Sequence, residues 1–527
     1  MPDNASVFPP GLVIYQIYTR SFQDTNGDGI GDLEGIIERL GYLAWLGISA
    51  VWIGPFYRSP MVDFGYDITD HKSVNPIFGD EDTVDRLIST AQDLGIKIII
   101  DLVANHTSDQ HPWFVVAKQS VHDPYHDWYI WKKAPNGDTP PNNWLSVHGG
   151  GAWEWNQATG EFYLHSFSVH QPDLNWSNPT VRQYIKDIMT YWLEKGVDGF
   201  RLDAVSWLAK DPQFRNEPVN PDFDPTKDIQ YDSLLHLYTL NQPAMAGHLN
   251  ELGRFLSDHN NKFMITEASV EPPTDEAEYL KFYQEMNPKV SAPFNFTAID
   301  IPWRADSFKK FVDAFQNGLK APDTPIYVFG NHDKSRLASR YGIDAARTCA
   351  LLQLTLPGVA IIYYGDELGM TDVEIPESEI RDISITDGRG NVLSRDPERT
   401  PMQWSNDVNA GFSTAKTWLP LGDYEKVNFK NQKDDPTSLL NFYKKLLEFR
   451  TQMEVLKLGT YESLETGNPE VFGYIRSYNN ERVAVVINFS KEKANYNVAA
   501  KQLLISTVSN PDQSNNLEPN EGRLLKL

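Results

Sequence analysis

The stretch Pro179-Thr-Val-Arg-Gln-Tyr-Ile-Lys-Asp-Ile-Met-Thr-Tyr-Trp-Leu-Glu-Lys-Gly196-Val-Asp-Gly199-Phe-Arg201-Leu-Asp203 decides the fold. A helical pattern runs to Gly196, and a short strand follows that ends on a carboxylate. The same alternation extends in both directions. Strand-like apolar runs lie at 13–18, 50–53, 97–102, 199–203, 263–267, 291–294, 326–329 and 359–364. Amphipathic stretches separate most of them. The stretch 33–46 sets Ile36, Ile37, Leu40, Leu43 and Ala44 at helical spacing, and 82–95 ends at Gly95. Strands alternating with helices make parallel βαβ units. Eight of them predict an α/β fold of the (β/α)8 TIM-barrel kind. An open doubly wound sheet has the same strand count.

Two intervals break the repeat. The first, 106–178, is too long for one crossover and is rich in Trp, Asn, Gly and Pro, so it reads as a small inserted domain. The second, about 369–433, is polar and loop-like. Past 455 the pattern changes to short alternating runs, which predict a C-terminal antiparallel β-sandwich domain over 456–527. The barrel then comprises 1–105 and 179–455.

The 527 residues carry 47 Lys+Arg against 71 Asp+Glu, a net charge of −24. Such a field repels phosphate, which argues against nucleic acid or an anionic membrane as partner. The single cysteine, Cys349, excludes an intrachain disulfide and reads as buried filler. No basic and apolar leader opens the sequence and no run is long enough to span a membrane, so the expectation is a cytoplasmic protein, monomer or homodimer.

In such a barrel the chemistry sits at the C-terminal strand ends. Those ends here read Asp101-Leu-Val-Ala-Asn105-His106, Gly199-Phe-Arg201-Leu-Asp203, Ile265-Thr-Glu267 and Phe329-Gly-Asn331-His332-Asp333. One charged residue at a strand end is commonly a cap or an ion-pair partner; four ends converging on one mouth make a site. Asp203, Glu267 and Asp333 crowd together there, so one of them should have a raised pKa. That division of roles is what glycoside hydrolysis needs: one carboxylate attacks, one carboxyl protonates the leaving oxygen. Arg201 shares a strand face with Asp203 and can orient it. His106 and His332 suit sugar hydroxyls. No His/Cys cluster has zinc spacing, and neither a Gly-x-Ser-x-Gly elbow nor a Walker loop is present.

Taken together, these motifs resemble glycoside hydrolase family 13, the α-amylase family, over nearly the whole chain. Gln171-Pro-Asp173-Leu-Asn175 and Arg399-Thr-Pro-Met-Gln-Trp404 narrow the likeness to the branch of α-glucosidases, oligo-1,6-glucosidases and sucrose isomerases. The resemblance implies Asp203 as nucleophile, Glu267 as general acid and then base, and Asp333 as the acid binding the distorted sugar ring. It also implies Tyr66 stacking on the sugar, Asp67 bonding it, and an Asp63–Arg399 pair closing the pocket at the non-reducing end. A blind pocket accepts chain ends, which implies an exo-acting enzyme on small oligosaccharides. Gln171 and Arg201 join the substrate-binding set, and Phe167, Tyr163 and Trp207 are candidate apolar walls. Ala204 stands where relatives preferring α-1,6 bonds usually carry Val, which points to maltose-type α-1,4 substrates. An Arg-Leu-Asp-Arg-Asp stretch of the sucrose-isomerase kind is absent, while transglucosylation stays open.

Asp24-Thr-Asn26-Gly-Asp28-Gly-Ile30-Gly-Asp32 sets oxygen donors at alternate positions, as in the first nine residues of an EF-hand loop. The twelfth position is Gly35, not Glu, so this is no EF-hand sensor. The resemblance implies a structural Ca²⁺, or Mg²⁺, held by Asp24, Asn26, Asp28, the Ile30 carbonyl and Asp32; an Asx-rich turn without metal is the bland alternative.

Overall fold

The computed structural model describes residues 6–135, 139–270, 275–512 and 514–527. Eight parallel strands form one sheet: β1 (Val13–Ile17), β2 (Ala50–Ile53), β3 (Lys97–Leu102), β4 (Gly199–Leu202), β5 (Phe263–Thr266), β6 (Ser291–Pro293), β7 (Ile326–Val328) and β8 (Val359–Tyr363). Their order is β6-β5-β4-β3-β2-β1-β8-β7. A parallel bridge between Asn295 and Tyr327 joins the two ends, so the sheet closes into a barrel rather than lying open.

Six of the eight strands stop one residue before the expected end, and two of those stops matter for chemistry. Asp203 and Glu267 still donate ladder bonds to Leu102 and Leu202 (3.1 and 2.9 Å), but the chain peels away there. Ala204 turns into the left-handed region (φ 48°). The carboxylates are thereby released onto the barrel rim.

The helices follow their caps. Asp32 caps Leu33–Leu46 by accepting from Gly35 N–H. The stretch expected at 82–95 runs over Glu81–Asp93, two residues earlier at its end, with Asp80 as cap. Pro179 opens Pro179–Lys195 and Gly196 closes it at φ 106°.

The first insertion builds a three-stranded antiparallel sheet from Trp131–Lys133, Glu161–Leu164 and Trp153–Asn156, around its own core of Trp144, Trp153, Phe162 and Leu164. The second is mostly turns, and its Thr386–Val392 bridge ties a hairpin beside the barrel mouth. At the C-terminus, Thr460–Ser463, Val471–Tyr478, Glu481–Asn488, Gly522–Lys526 and Gln502–Ser506 form a five-stranded antiparallel sheet. Alternation splits its faces: Phe472, Tyr474, Val483 and Val485 join the barrel core, while Ile475, Ala484 and Val486 make a separate one. The second layer of the expected sandwich is a two-stranded ribbon, Ala494–Asn495 with Asn516–Leu517. Cys349 is fully buried in the helix Ile343–Thr355.

Candidate active site

A cavity of about 500 Å³ opens at the C-terminal strand ends. At its base Arg201, 1% exposed, holds three carboxylates. Its Nη1 lies 2.6 Å from Asp203 Oδ1 and 2.5 Å from Asp101 Oδ1, and its Nη2 lies 2.8 Å from Glu267 Oε2. Trp52 Nε1 donates to the other oxygen of Asp101 (2.7 Å), and Ala204 N–H donates to Glu267 Oε2 (3.1 Å). Three acids on one guanidinium leave an excess of negative charge in a buried site. Burial pushes Asp203 up, Arg201 opposes, and Glu267, Asp101 and Asp333 push further up. Burial likewise moves Asp101 to about 6 against the pull of Arg201.

A second cluster faces the first. Asp333 Oδ1 receives Arg399 Nη2 (2.8 Å) and Arg395 Nη1 (3.1 Å), and His332 Nε2 lies 3.4 Å from its other oxygen. Burial opposes ionisation of Asp333, but His332, Arg395 and Arg399 together hold it well below the usual carboxylate range. The expected Asp63–Arg399 pair is replaced by Asp63–Arg395 (2.7 Å), with Asp382 on Arg395 Nε (2.6 Å). Arg399 instead donates Nε to the His332 carbonyl (2.7 Å), behind the cavity wall, and does not line the cavity. Arg395 lies four residues before Arg399, ahead of the motif, and spacing alone does not say which side chain faces inward.

Of the other expected contacts, Asp63, Tyr66, His106, Phe167, Gln171, Trp207 and His332 line the cavity. Tyr66 stacks on His332 (centroids 5.6 Å, 11°), and its hydroxyl meets Nε2 at 2.9 Å. Gln171 donates to Asp63 Oδ2 (2.9 Å) and approaches His106 Nε2 at 3.1 Å. Burial drives His332 down to about 3 and lowers His106, so both rings are neutral near pH 7. Asp67 does not reach the cavity. Its carboxylate is turned onto Ser59 Oγ, Val62 N–H and Asp63 N–H (2.8, 3.0 and 3.0 Å), which shapes the loop that presents Asp63. Tyr163 is also away from it, packed edge-on to Phe114 and Trp131. Sequence reading missed Arg395 and Asp382, and also Val147, His148, Ile385, Leu393 and Glu398 on the wall. All of these lie in the irregular insertions, where no periodicity marks a facing side.

The loop 24–32 holds its shape by Asx turns. Asp24 accepts from Gly27 and Gly29 N–H (both 2.8 Å), Asn26 from Asp28 N–H (2.9 Å) and Asp28 from Ile30 N–H (2.8 Å). Gly29 has φ 89°, and a Cβ there would meet the Lys416 carbonyl at 2.1 Å. The all-oxygen donor set suits a hard cation. Among the described residues, however, no three His, Cys, Asp or Glu side chains are grouped to hold a metal ion.

A barrel with this charged base and an antiparallel C-terminal sheet defines a class of carbohydrate-cleaving enzymes. Residues 16–459 match the α-amylase catalytic domain model, and 461–525 match the maltogenic amylase C-terminal domain. The oligo-1,6-glucosidase of Parageobacillus thermoglucosidasius is 35% identical over 98% of both chains. Maltase 1 of Drosophila virilis is 39% identical over 92% of this chain and 79% of its own. Among solved structures, the α-glucosyl transfer enzyme XgtA superposes with a TM-score of 0.90 at 33% identity, covering 98% of this chain and 99% of that one. The trehalulose synthase MutB of Pseudomonas mesoacidophila MX-45 gives 0.87 at 32%, covering 98% of each. The chain belongs to the α-amylase family, glycoside hydrolase family 13, and is a glycoside hydrolase. Among the described residues no helix is long and apolar enough to cross a membrane.

Proposed function

We propose that this chain is a retaining, exo-acting α-glucosidase that releases glucose from the non-reducing end of short α-glucosides, maltose-type α-1,4 bonds preferred. Asp203 attacks the anomeric carbon while Glu267 gives its proton to the departing glycosidic oxygen. A glucosyl ester on Asp203 results. Glu267, now a carboxylate, takes a proton from water, the water oxygen bonds to the anomeric carbon, and the ester bond breaks. Two inversions return the α configuration. The excess of acid over guanidinium supports this reading, because carboxyls crowded on one guanidinium favour keeping a proton among them. Asp333, held ionised, accepts from hydroxyls of the ring. The observation that carries the exo reading is the buried Asp63–Arg395 pair, braced by Asp382 and Gln171, which fits a closed end rather than a through-groove.

The loop 24–32 is proposed to take Ca²⁺, or Mg²⁺, through Asp24, Asn26, Asp28, the Ile30 carbonyl and Asp32, as a brace for the segment after β1. The reading includes a cytoplasmic monomer or homodimer with no nucleic-acid or membrane partner, in keeping with the net charge of −24.

A second reading is glucosyl transfer to a sugar acceptor, including sucrose isomerisation. Val147, Phe167, Trp207, Ile385 and Leu393 favour it, since apolar walls around the cavity exclude water from the acceptor side. Product analysis with maltose, isomaltose and sucrose, beside Asp203→Asn, separates the two. Glucose from maltose, absent in the variant, supports hydrolysis. New di- or trisaccharides support transfer, and activity surviving in the variant removes Asp203 as nucleophile.

A further inference from the structure

Glu398 lines the cavity together with Asp333, Ser394 and Arg395, and is 6% exposed. It closes the short turn Asp396–Glu398, whose backbone is fixed by Tyr363 Oη donating to the Glu398 carbonyl (3.0 Å). That anchor does not involve its side chain. Among the described residues no other side chain hydrogen-bonds or ion-pairs with its carboxyl group. Nearby cations are already engaged: Arg399 with the His332 carbonyl and Asp333, Arg395 with Asp63, Asp333 and Asp382. Lys334, also on the wall, is exposed. Beyond its own backbone N–H, the carboxyl keeps hydrogen-bonding capacity on the cavity side, where a ligand or water can meet it.

We propose that Glu398 is a further substrate-binding residue, its carboxyl group hydrogen-bonding a hydroxyl of the glucosyl unit held beside Asp333. This rests on the reading of the cavity as a glucoside pocket and adds a contact to it. Burial pushes the carboxyl up to about 8, Arg399 opposes, and Asp372 and Asp333 push the same way as burial. Near neutral pH the group therefore keeps its proton and can both donate and accept, as a sugar hydroxyl requires of its partner. Above that range it loses the donor and brings a second negative charge close to Asp333.

The test compares the wild type with Glu398→Gln and Glu398→Ala by maltose kinetics, by calorimetric titration with glucose, and by Tm. At about pH 6.5, Glu398→Ala raises KM and the glucose Kd about three- to tenfold with kcat changed less than about twofold, while Glu398→Gln stays near wild type. Between about pH 7 and 9.5 the wild-type KM climbs, whereas that of Glu398→Gln stays level. The stability sign is fixed by the raised folded-state pKa: stabilisation by the bound proton is complete below the unfolded value and lost as pH rises through about 8. The Tm of Glu398→Gln therefore gains on the wild type as pH rises. Wild-type glucose affinity in Glu398→Ala would overturn the proposal. So would a lower Tm in Glu398→Gln at all pH values, which would make the residue part of the scaffold. If maltose is not cleaved, the linkage reading fails, yet the glucose titration still decides the role of Glu398.

Discussion

At the base of the cavity Asp101, Asp203 and Glu267 share Arg201, and Asp63, Asp333 and Asp382 are tied to Arg395 and Arg399. Elsewhere on the wall, Val147, Phe167, Trp207, Ile385 and Leu393 are apolar, and among the described residues no other side chain bonds the Glu398 carboxyl. The tied region is preorganised: each charge is held before substrate arrives, at the cost of burying it. The apolar region carries little fixed polarity, so its free energy changes most when a ligand enters. Chemistry belongs to the first region, and choice of leaving group or acceptor to the second. Substitutions in the tied region should alter rate steeply, while those on the wall should alter selectivity.

The sharpest break is Asp203→Asn. Turnover of any accepted glucoside should fall on the order of 10⁴-fold or more, because the covalent route is lost. Arg201 keeps Asp101 and Glu267, so Tm should not fall. A variant with a few per cent of wild-type activity would contradict the assignment.

Next comes Arg395→Ala. It strips the counter-charge from Asp63 and from Asp382, both buried, and one of two from Asp333. About a 10²-fold loss in kcat/KM is expected from stranding such charges. If the pair seals the pocket, the same variant should also begin to cleave maltotriose internally, which end-group analysis would reveal. Loss of rate with strictly terminal cleavage would leave Asp63–Arg395 as a binding pair only.

How much of this was legible in the sequence follows the same division. Strands and helices repeat with a period, so β1–β8 could be placed within a residue, and Asp203, Glu267 and Asp333 came with them as strand-end residues. The Asp63 partner was misassigned because Arg395 and Arg399 lie in a turn-rich segment, where no pleat or helical face decides orientation. Asp67 is a sugar ligand only by what the resemblance implies; here its loop folds back so that the carboxylate caps its own backbone. Val147, Phe167, Ile385 and Leu393 come from irregular stretches of the two insertions, where tertiary contact alone sets which side faces the cavity. Nothing local in Ile385 or Leu393 announces that a cavity lies beside them.

A smaller effect is expected at Ala204, on the boundary between the two regions. Its N–H supports Glu267 and its side chain lines the cavity. In Ala204→Val the added methyl groups narrow the space beside the leaving oxygen. Discrimination by about one methylene is commonly worth tenfold or somewhat more, so the isomaltose-to-maltose ratio of kcat/KM should rise about tenfold. The left-handed backbone at φ 48° resists a β-branched residue, so Tm should drop as well. An unchanged ratio would remove Ala204 from the linkage argument and leave selectivity to Val147, Ile385 and Leu393.

The smallest effect belongs to the loop 24–32, which lies outside both regions. Its donors are engaged by backbone N–H groups within the loop and by Ser413 Oγ on Asp24, so its fold does not collapse without an ion. An ion bound there adds stability only through its affinity for the folded chain, about 2.7 kcal/mol at a hundredfold excess over Kd. At about 2.1 cal/mol/K of unfolding entropy per residue, that shifts Tm by about 2–3 °C in a chain of this size. Asp32 links the loop to the helix Leu33–Leu46, not to Arg201 or Asp333, so the route from metal to chemistry is purely structural. Chelation should therefore lower Tm by a few degrees, restored by Ca²⁺, with kcat unchanged at 25 °C. Asp28→Ala should abolish the Ca²⁺ response and leave turnover intact. If EDTA stopped turnover while Tm stayed constant, the ion would have to act at the cavity, and the oxygen-rich loop would be an Asx turn and nothing more.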